Sequence, residues 1–377
     1  MLLKKTIARN FINIRGMRTP RKLVVIESDD WGSIRMPSRE VFEQLKAEGL
    51  HPETDPYLKY DSLESDEDLQ QLFSVLKSVQ DGKGNPAVVT ANAVVANPDF
   101  EKIKAGNFQA YHYEPFTTTL TRYSGREQVY GLWKQGIADG IFVPQYHGRE
   151  HLHVMRWMAN LAAGDEMLHK AFTHQMISIS SVPSKMRFAY MEGMDHQDET
   201  ERLAKKEVLE TGHSLFQRLT GYGSRTFIAN CYIWDDTVEQ VLQGEGVVVM
   251  QGILNQIRPV GEGKHVLTKH FIGEKKNGMA YTIRNVFFEP SLDPKLNWVD
   301  EAMSRIQTAF RWQKPAIIGS HRLNYIGSID PQNREKNLAS LKQLLQQIIR
   351  QWPDVEFISS AALAELIVNE SFFKPQA

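Results

Sequence analysis

The sequence predicts an α/β chain built on a mostly parallel sheet, closed or partly closed. Two observations carry this. Short apolar, β-branched runs alternate with helix-period segments along the whole chain, the pattern of strand–helix–strand units. Several of those runs stop abruptly at a carboxylate or an imidazole. In sheets wound with helices, ligands bind at the carboxyl ends of the strands. No Pro/Gly/Ser linker, repeat or low-complexity segment divides the 377 residues, so a single domain over 1–377 is expected.

The elements follow in order. Lys22 to Ile26 reads as a buried strand that ends in Glu27-Ser28-Asp29-Asp30-Trp31-Gly32. Charge does not help a buried strand pack, so Asp29 and Asp30 are expected where the strand leaves the core. Pro37 to Gly49 and Asp61 to Gln80 have helical spacing, the first stopped by Gly49. Pro86 to Asn92 is a second strand. Ala110 to Phe116 is a short element, Gly125 to Gly140 a helix, and Ile141 to Tyr146 a strand stopping at His147. Leu152 to Leu168 is helical, Ala171 to Ser184 is ambiguous, and Phe188 to Asp198 reads as an irregular loop. Glu199 to Leu219 is a long amphipathic helix. Thr226 to Ala229, Val247 to Met250, Ala316 to Ser320 and Val355 to Ile358 are strands. Thr237 to Gln243, Trp298 to Trp312, Gln332 to Trp352 and a segment from Ser360 are helices. Between them, Arg258 to Glu289 alternates around Gly261, Gly263 and Asn277-Gly278, which suggests a hairpin-like excursion.

Composition narrows the function. Lys plus Arg is 44 against 45 Asp plus Glu, a net charge of -1, so no electrostatic footprint for nucleic acid is present. Cys231 is the only cysteine, which rules out an intrachain disulfide and fits a reducing compartment. Met1 to Arg21 is basic with only short apolar pieces and reads as no signal peptide. No stretch is long and apolar enough for a membrane span. A soluble, cytoplasmic protein with no nucleic-acid or membrane partner is expected.

Three signals bear chemistry. Adjacent carboxylates Asp29 and Asp30 point in divergent directions, so one can hold a metal while the other faces a substrate or water. The same residues also suit an ordinary turn. His147-Gly-Arg-Glu-His151 puts two imidazoles on one side of a turn. With a carboxylate they suit zinc or another first-row divalent ion; hydrogen-bonded surface histidines are the bland alternative among 12 His. His321 ends a strand and could act as a general acid, or simply cap that strand. All three follow apolar runs, and in a parallel barrel those points share one rim. Arg225 could orient a catalytic carboxylate or lie solvated at the surface. Trp234 could be a sugar platform or a core residue, and Cys231 a small buried apolar residue. Asn92, His112 and Glu114 are rim candidates that ordinary loops also explain. No GxGxxG, P-loop or GxSxG motif occurs.

Together these residues resemble the polysaccharide deacetylase family, the NodB-like carbohydrate esterases. Glu27-Ser28-Asp29-Asp30-Trp31-Gly32 stands where the family has Thr-Phe-Asp-Asp-Gly, with Trp31 inserted. His147-Gly-Arg-Glu-His151-Leu152 resembles His-Ser/Thr-x-x-His-Pro without the Pro, and Ile318-Gly319-Ser320-His321 resembles Leu-x-His with the His one residue late. Arg225 to Cys231 keeps the Arg of Arg-x-x-x-Pro-x-Gly but places Asn230 and Cys231 where Pro and Tyr are expected. The resemblance implies a distorted (β/α) barrel. It implies Asp29 as base, Asp30, His147 and His151 as ligands of one divalent metal ion such as zinc, His321 as general acid, and Arg225 as a catalytic-site residue. Trp31, Asn92, Glu114, Cys231 and Trp234 are then the substrate-contact candidates, and 152–219 is a helical insertion bordering the pocket rim. The implied reaction removes an N- or O-acetyl group from a saccharide. A non-catalytic carbohydrate-binding protein and a metal hydrolase of a non-sugar amide are the rivals.

Overall fold

The computed structural model describes residues 2–179 and 190–370. Its spine is strand β1 (Lys22–Trp31). Val24 and Ile26 pack into the main hydrophobic core, Leu23 and Val25 into a second one, so both faces of the strand are covered. This is why the sequence reads as a continuous apolar run instead of an alternating one. Around β1 stand β2 (Val89–Val94), β3 (Phe142–Gly148), β4 (Thr226–Ile228), β5 (Val249–Gly252), β6 (Met279–Ile283), β7 (Val286–Phe287), β8 (Ala316–His321) and β9 (Val355–Phe357). Their order is β6-β5-β4-β3-β2-β1-β8-β7, every neighbouring pair parallel. β9 shares one edge of β1 with β2: it pairs with Lys22 to Val24, and β2 takes over from Ile26.

The two ends of this sheet are one passage of chain. β6 pairs with β5 and β7 with β8, and only Arg284 and Asn285 separate β6 from β7. The sheet therefore curls round on itself as a distorted (β/α) barrel. Asn285 knits the seam: its side-chain oxygen accepts from Ile317 N at 2.8 Å and its amide donates to Pro315 O at 2.9 Å. Those bonds replace ladder bonds that a strand switching partners gives up. Inside, Leu23, Val25, Val249, Ala280 and Ile317 meet Leu363, Ala364 and Ile367 of the Ser360–Val368 helix. That apolar layer fills the end where the strands begin. Helices pack the outer face, among them Asp66–Lys77, Val129–Ala138, Trp298–Arg311 and Pro331–Gln351.

Several expectations shift. The helix predicted from Asp61 starts only at Asp66, behind a Ser65–Asp68 capping box, and Asp61 is buried instead. Leu152 to Leu168 divides into Val154–Ala162 and Glu166–Thr173, broken at Gly164 with φ 78°. The long Glu199–Thr220 helix forms as expected. Part of Ala171 to Ser184, and Phe188 and Ala189 of the predicted loop, lie outside the described residues. The excursion at Arg258 to Glu289 holds a true hairpin, Asn255–Pro259 against His265–Lys269. Its second half is not an excursion: Asn277-Gly278 turns Lys275–Lys276 directly into β6, a barrel strand. No helix among the described residues is long and apolar enough to cross a membrane.

Candidate metal centre and active site

β1 does not end before its carboxylates, as charge avoidance predicted; both lie inside it, with Asp29 4% and Asp30 2% exposed. The pairing of β1 with β2 shifts register between Ser28 and Trp31, and Asp30 sits in that bulge at φ 75°. A left-handed non-glycine residue is strained and persists where surrounding contacts hold it. The bulge frees Asp29 and Asp30 from strict alternation and gives them separate partners in one interior. Gly32 completes the turn at φ 81°, where a Cβ would stand 2.3 Å from the Val94 carbonyl oxygen.

Asp30 faces the two histidines. Its Oδ1 is 3.5 Å from His147 Nε2 and 3.6 Å from His151 Nε2. One ligand atom from each of the three lies within 4.8 Å of the others, and all three residues are buried. His147 Nδ1 meets the Ile228 carbonyl at 2.7 Å. A carbonyl can only accept, so Nδ1 carries the proton and Nε2 presents its lone pair to the centre, the usual outer support of a ligating histidine. Asp30 Oδ1 is buried without a hydrogen-bond partner, an orphan that a cation would satisfy. Burial pushes the His151 pKa down to about 3, keeping it neutral and able to ligate. Burial opposes the charge on Asp30 too, but Arg35 and then His151 hold its carboxyl well below the usual range. Arg35 Nη2 donates to Asp30 Oδ2 at 3.0 Å, leaving Oδ1 to the histidines. These groups can hold a divalent ion.

Asp29 is held from the opposite wall. Arg284 grips it with two prongs, Nη1 to Oδ2 and Nη2 to Oδ1, while its Nε donates to Glu27 at 2.8 Å. Asn92 Nδ2 donates to Oδ1 at 2.7 Å. Burial works against the charge, yet Arg284 outweighs it and holds the Asp29 carboxyl well below its ordinary value. Tyr232 OH accepts from Arg284 Nη1 at 3.2 Å. Asp29 Oδ2 takes one bond from Arg284, keeps a second lone pair, and stands 3.7 Å from His321 Nε2. His321 is set by Glu289, whose Oε1 accepts from Nδ1 at 2.6 Å; Asn324 anchors the other Glu289 oxygen at 2.7 Å. Burial disfavours the imidazolium, but Glu289 and then Asp29 prevail and push the His321 pKa up to about 9.

Of the residues singled out in the sequence, Asp29, Asp30, Asn92, His147, His151 and His321 come together. Cys231 sits beside them, between Asn230, which donates to His147 O at 3.2 Å, and Tyr232. Cys231 and Tyr232 both take left-handed φ, 56° and 60°. Burial pushes the Cys231 thiol above its ordinary value, which disfavours the thiolate. Five residues lie elsewhere. His112 is exposed. Arg225 precedes β4, at the far end of the barrel, where it binds Glu365 at 2.6 Å and Gly246 O at 2.8 Å. Trp31 faces the core, bonded to Ser28 and edge-on to Phe142. Trp234 is 1% exposed and donates to Glu239. Glu114 pairs with Arg122 and Thr119.

Arg284, Glu289 and Arg35 were missed. Arg284 interrupts the apolar stretch Met279 to Phe288, and Glu289 ends it. Both obey the rule that found the other site residues, but the Asn277-Gly278 turn signal assigned the stretch to a hairpin. Between His151 and β4, the described segment around Met191 comes up against the centre: Arg35 reaches Met191 Sδ at 3.2 Å and Cys231 Sγ lies 3.6 Å from Met191 O.

No protein-family model matches this chain, and no curated protein matches it by sequence. Solved structures do resemble it. A Mycobacterium smegmatis protein described as a polysaccharide deacetylase is 9% identical, covers 96% of each chain and gives a TM-score of 0.43. A CE4 family pseudoenzyme from Bacillus anthracis is 10% identical, over 91% of this chain and 66% of that one, at 0.38. An allantoinase is 12% identical, over 96% and 95%, at 0.42.

Proposed function

We propose that the protein is a metal-dependent hydrolase that removes an acetyl group from a nitrogen or oxygen of a saccharide. The observation that carries this is the division of labour between two successive carboxylates: Asp30 turns an unpartnered oxygen to two histidines, and Asp29 is clamped by Arg284 beside His321. Two imidazoles and one carboxylate suit zinc with positions left open. Bound by Asp30, His147 and His151, such an ion would polarise the acetyl carbonyl and acidify a water.

The chain's own residues do the rest. Asp29 accepts the proton of the attacking water at Oδ2, the oxygen with a free lone pair. Arg284 and Asn92 fix that carboxylate so that no reorganisation is needed during the reaction. Glu289 keeps His321 protonated near neutral pH, and His321 Nε2 hands its proton to the departing amine or alcohol. The backbone N–H of Cys231, presented by the left-handed turn at Cys231 and Tyr232, is the candidate donor to the tetrahedral oxyanion. Arg284 takes the orienting role expected of Arg225.

The rival reading is hydrolysis of a small non-sugar amide; Arg35, paired with Asp30 and 3.5 Å from Asp61, offers an anionic amide no free guanidinium. Metal analysis combined with acetate release from acetylated sugars, and ammonia or amine release from anionic amides, separates the two. A protein that holds no metal and hydrolyses neither class would be a binding protein on this scaffold.

A further inference from the structure

The Leu2–Ile14 helix is docked on the barrel in an inverted sense. A surface helix ordinarily turns its apolar stripe to the core and its polar face to water. Here the polar side faces the protein. Arg9 reaches Ser304 and Glu301 of the Trp298–Arg311 helix. Asn10 Oδ1 accepts from Trp312 Nε1 at 2.8 Å. Asn13 is buried, and its Oδ1 accepts at 2.9 Å from Asn285, the residue that knits the seam. On the opposite side Ile7, Phe11 and Ile14 are 61%, 43% and 44% exposed. Steps of four and three residues line them up on one face. Ile12, off that line, packs against the apolar layer inside the barrel. Rolling the helix to bury the stripe would cost Asn285 and Trp312 an acceptor each, so the polar contacts hold the stripe outward.

Cations stand around the stripe. Met1 to Ile26 holds seven Lys and Arg and no Asp or Glu. Arg9, Arg21 and Lys22 are paired within the fold. Arg15 and Arg18 are exposed, their guanidiniums over Phe271 and Trp312. Lys269 Nζ lies 5.4 Å from the centre of the Phe11 ring. It belongs to the hairpin strand His265–Lys269, which also exposes Val266 and Leu267.

We propose that this face docks on an anionic lipid surface. Ile7, Phe11 and Ile14 enter the boundary between headgroups and acyl chains, and Arg15, Arg18 and Lys269 meet the anionic headgroups. A helix that lies in the plane of the interface needs no spanning length. The sequence expectation of no membrane partner rested on the lack of a spanning segment alone. A second copy of the chain is the other candidate occupant. A two-fold contact through this face sets the same patch against itself, cations opposing cations, whereas anionic lipid complements them. The docking does not depend on the reaction proposed above.

The test is flotation of the full chain with phosphatidylcholine vesicles, with and without phosphatidylglycerol, at low and high salt. The parent should bind the anionic vesicles about tenfold or more tightly than the neutral ones, and salt should weaken that binding. Ile7→Ser, Phe11→Ser and Ile14→Ser combined should lower the affinity about tenfold or more. Their side chains are exposed, so the urea midpoint should stay at the parent's value. Arg15→Gln with Arg18→Gln should reduce the preference for anionic over neutral vesicles. Sedimentation of the same proteins without lipid reports self-association. A parent that floats with neither vesicle overturns the proposal, as does a serine variant that floats like the parent, or equal binding to both vesicles at every salt concentration. A parental dimer that the serine substitutions dissolve, with no vesicle binding, gives the face to a second copy instead.

Discussion

Arg284 and Asp29 form a two-pronged ion pair inside the barrel, 2.6 Å between Nη2 and Oδ1 and 2.7 Å between Nη1 and Oδ2, with Arg284 1% exposed. The guanidinium also serves Glu27, so it neutralises two buried carboxylates at once. Replacing it should do two separable things. Arg284→Met leaves both carboxylates unpaired and should lower unfolding free energy by about 3–5 kcal/mol, read from the urea midpoint. Arg284→Lys keeps a charge but loses the fork, and should fold while turning over on the order of 10²-fold more slowly. A lysine variant with parental kcat would show that orientation of Asp29 does not matter.

Arg225→Ala provides the contrast. Its ion pair with Glu365 is well exposed on both sides, and such pairs contribute about 0–1 kcal/mol. Acetate release should match the parent. A large loss of rate would restore Arg225 to the site and take the orienting role away from Arg284.

The two carboxylates should separate cleanly in metal content. Asp30→Asn and His147→Ala should lose the ion, measured by elemental analysis of dialysed protein. Asp29→Asn should retain it and lose activity by on the order of 10²–10⁴-fold, the usual worth of a positioned acid or base. If Asp29→Asn strips the metal and Asp30→Asn keeps it, the assignment is reversed.

His321 gives a pH signature. Its pKa rises to about 9 in the folded protein against about 6.5 unfolded. The protonated form is the one favoured by folding. Its contribution to stability is complete below about 6.5 and fades as pH rises through about 9. Proton delivery should follow the same group, so the alkaline limb of kcat falls near 9. Glu289→Gln removes the main charge that raises this pKa, and the limb should move to lower pH. An unmoved limb would mean that another group supplies the proton.

Much of this was legible in the chain. Leu23 to Ile26, Ile141 to Tyr146 and Ala316 to Ser320 read as strands because burial on both faces demands mostly apolar runs, and each led to a polar residue of the centre. What stayed hidden was partner geometry. Arg225 and Arg284 carry the same side chain, and no local pattern says which one reaches Asp29; a seam between β6 and β7 decides it. Trp31 reads as a substrate contact and Trp234 as a sugar platform or a core residue, but an indole whose N–H finds a buried partner, as with Ser28 and Glu239, is at home in a core. The placement of Asp29 and Asp30 inside β1 ran against charge avoidance because the arginines that compensate them are remote in sequence or sit just past the strand end.

The seam has a consequence for the order in which the molecule can be made. Glu27 and Arg284 are 257 residues apart in the chain, and Glu27 also bonds Ser360, 333 residues away. During synthesis β1 emerges long before β8, β9 or Arg284, so Glu27 and Asp29 wait without their counter-charge and the strand edges without most of their neighbours. Contacts of such sequence separation are slow to form, and early strands left unpaired are prone to aggregate. The seam segment brings Arg284 to Asp29, and β8, made after it, joins β7 to β1 and closes the ring. Completion of the fold and assembly of the reactive centre are one late event, so a nascent chain halted before Arg284 has neither.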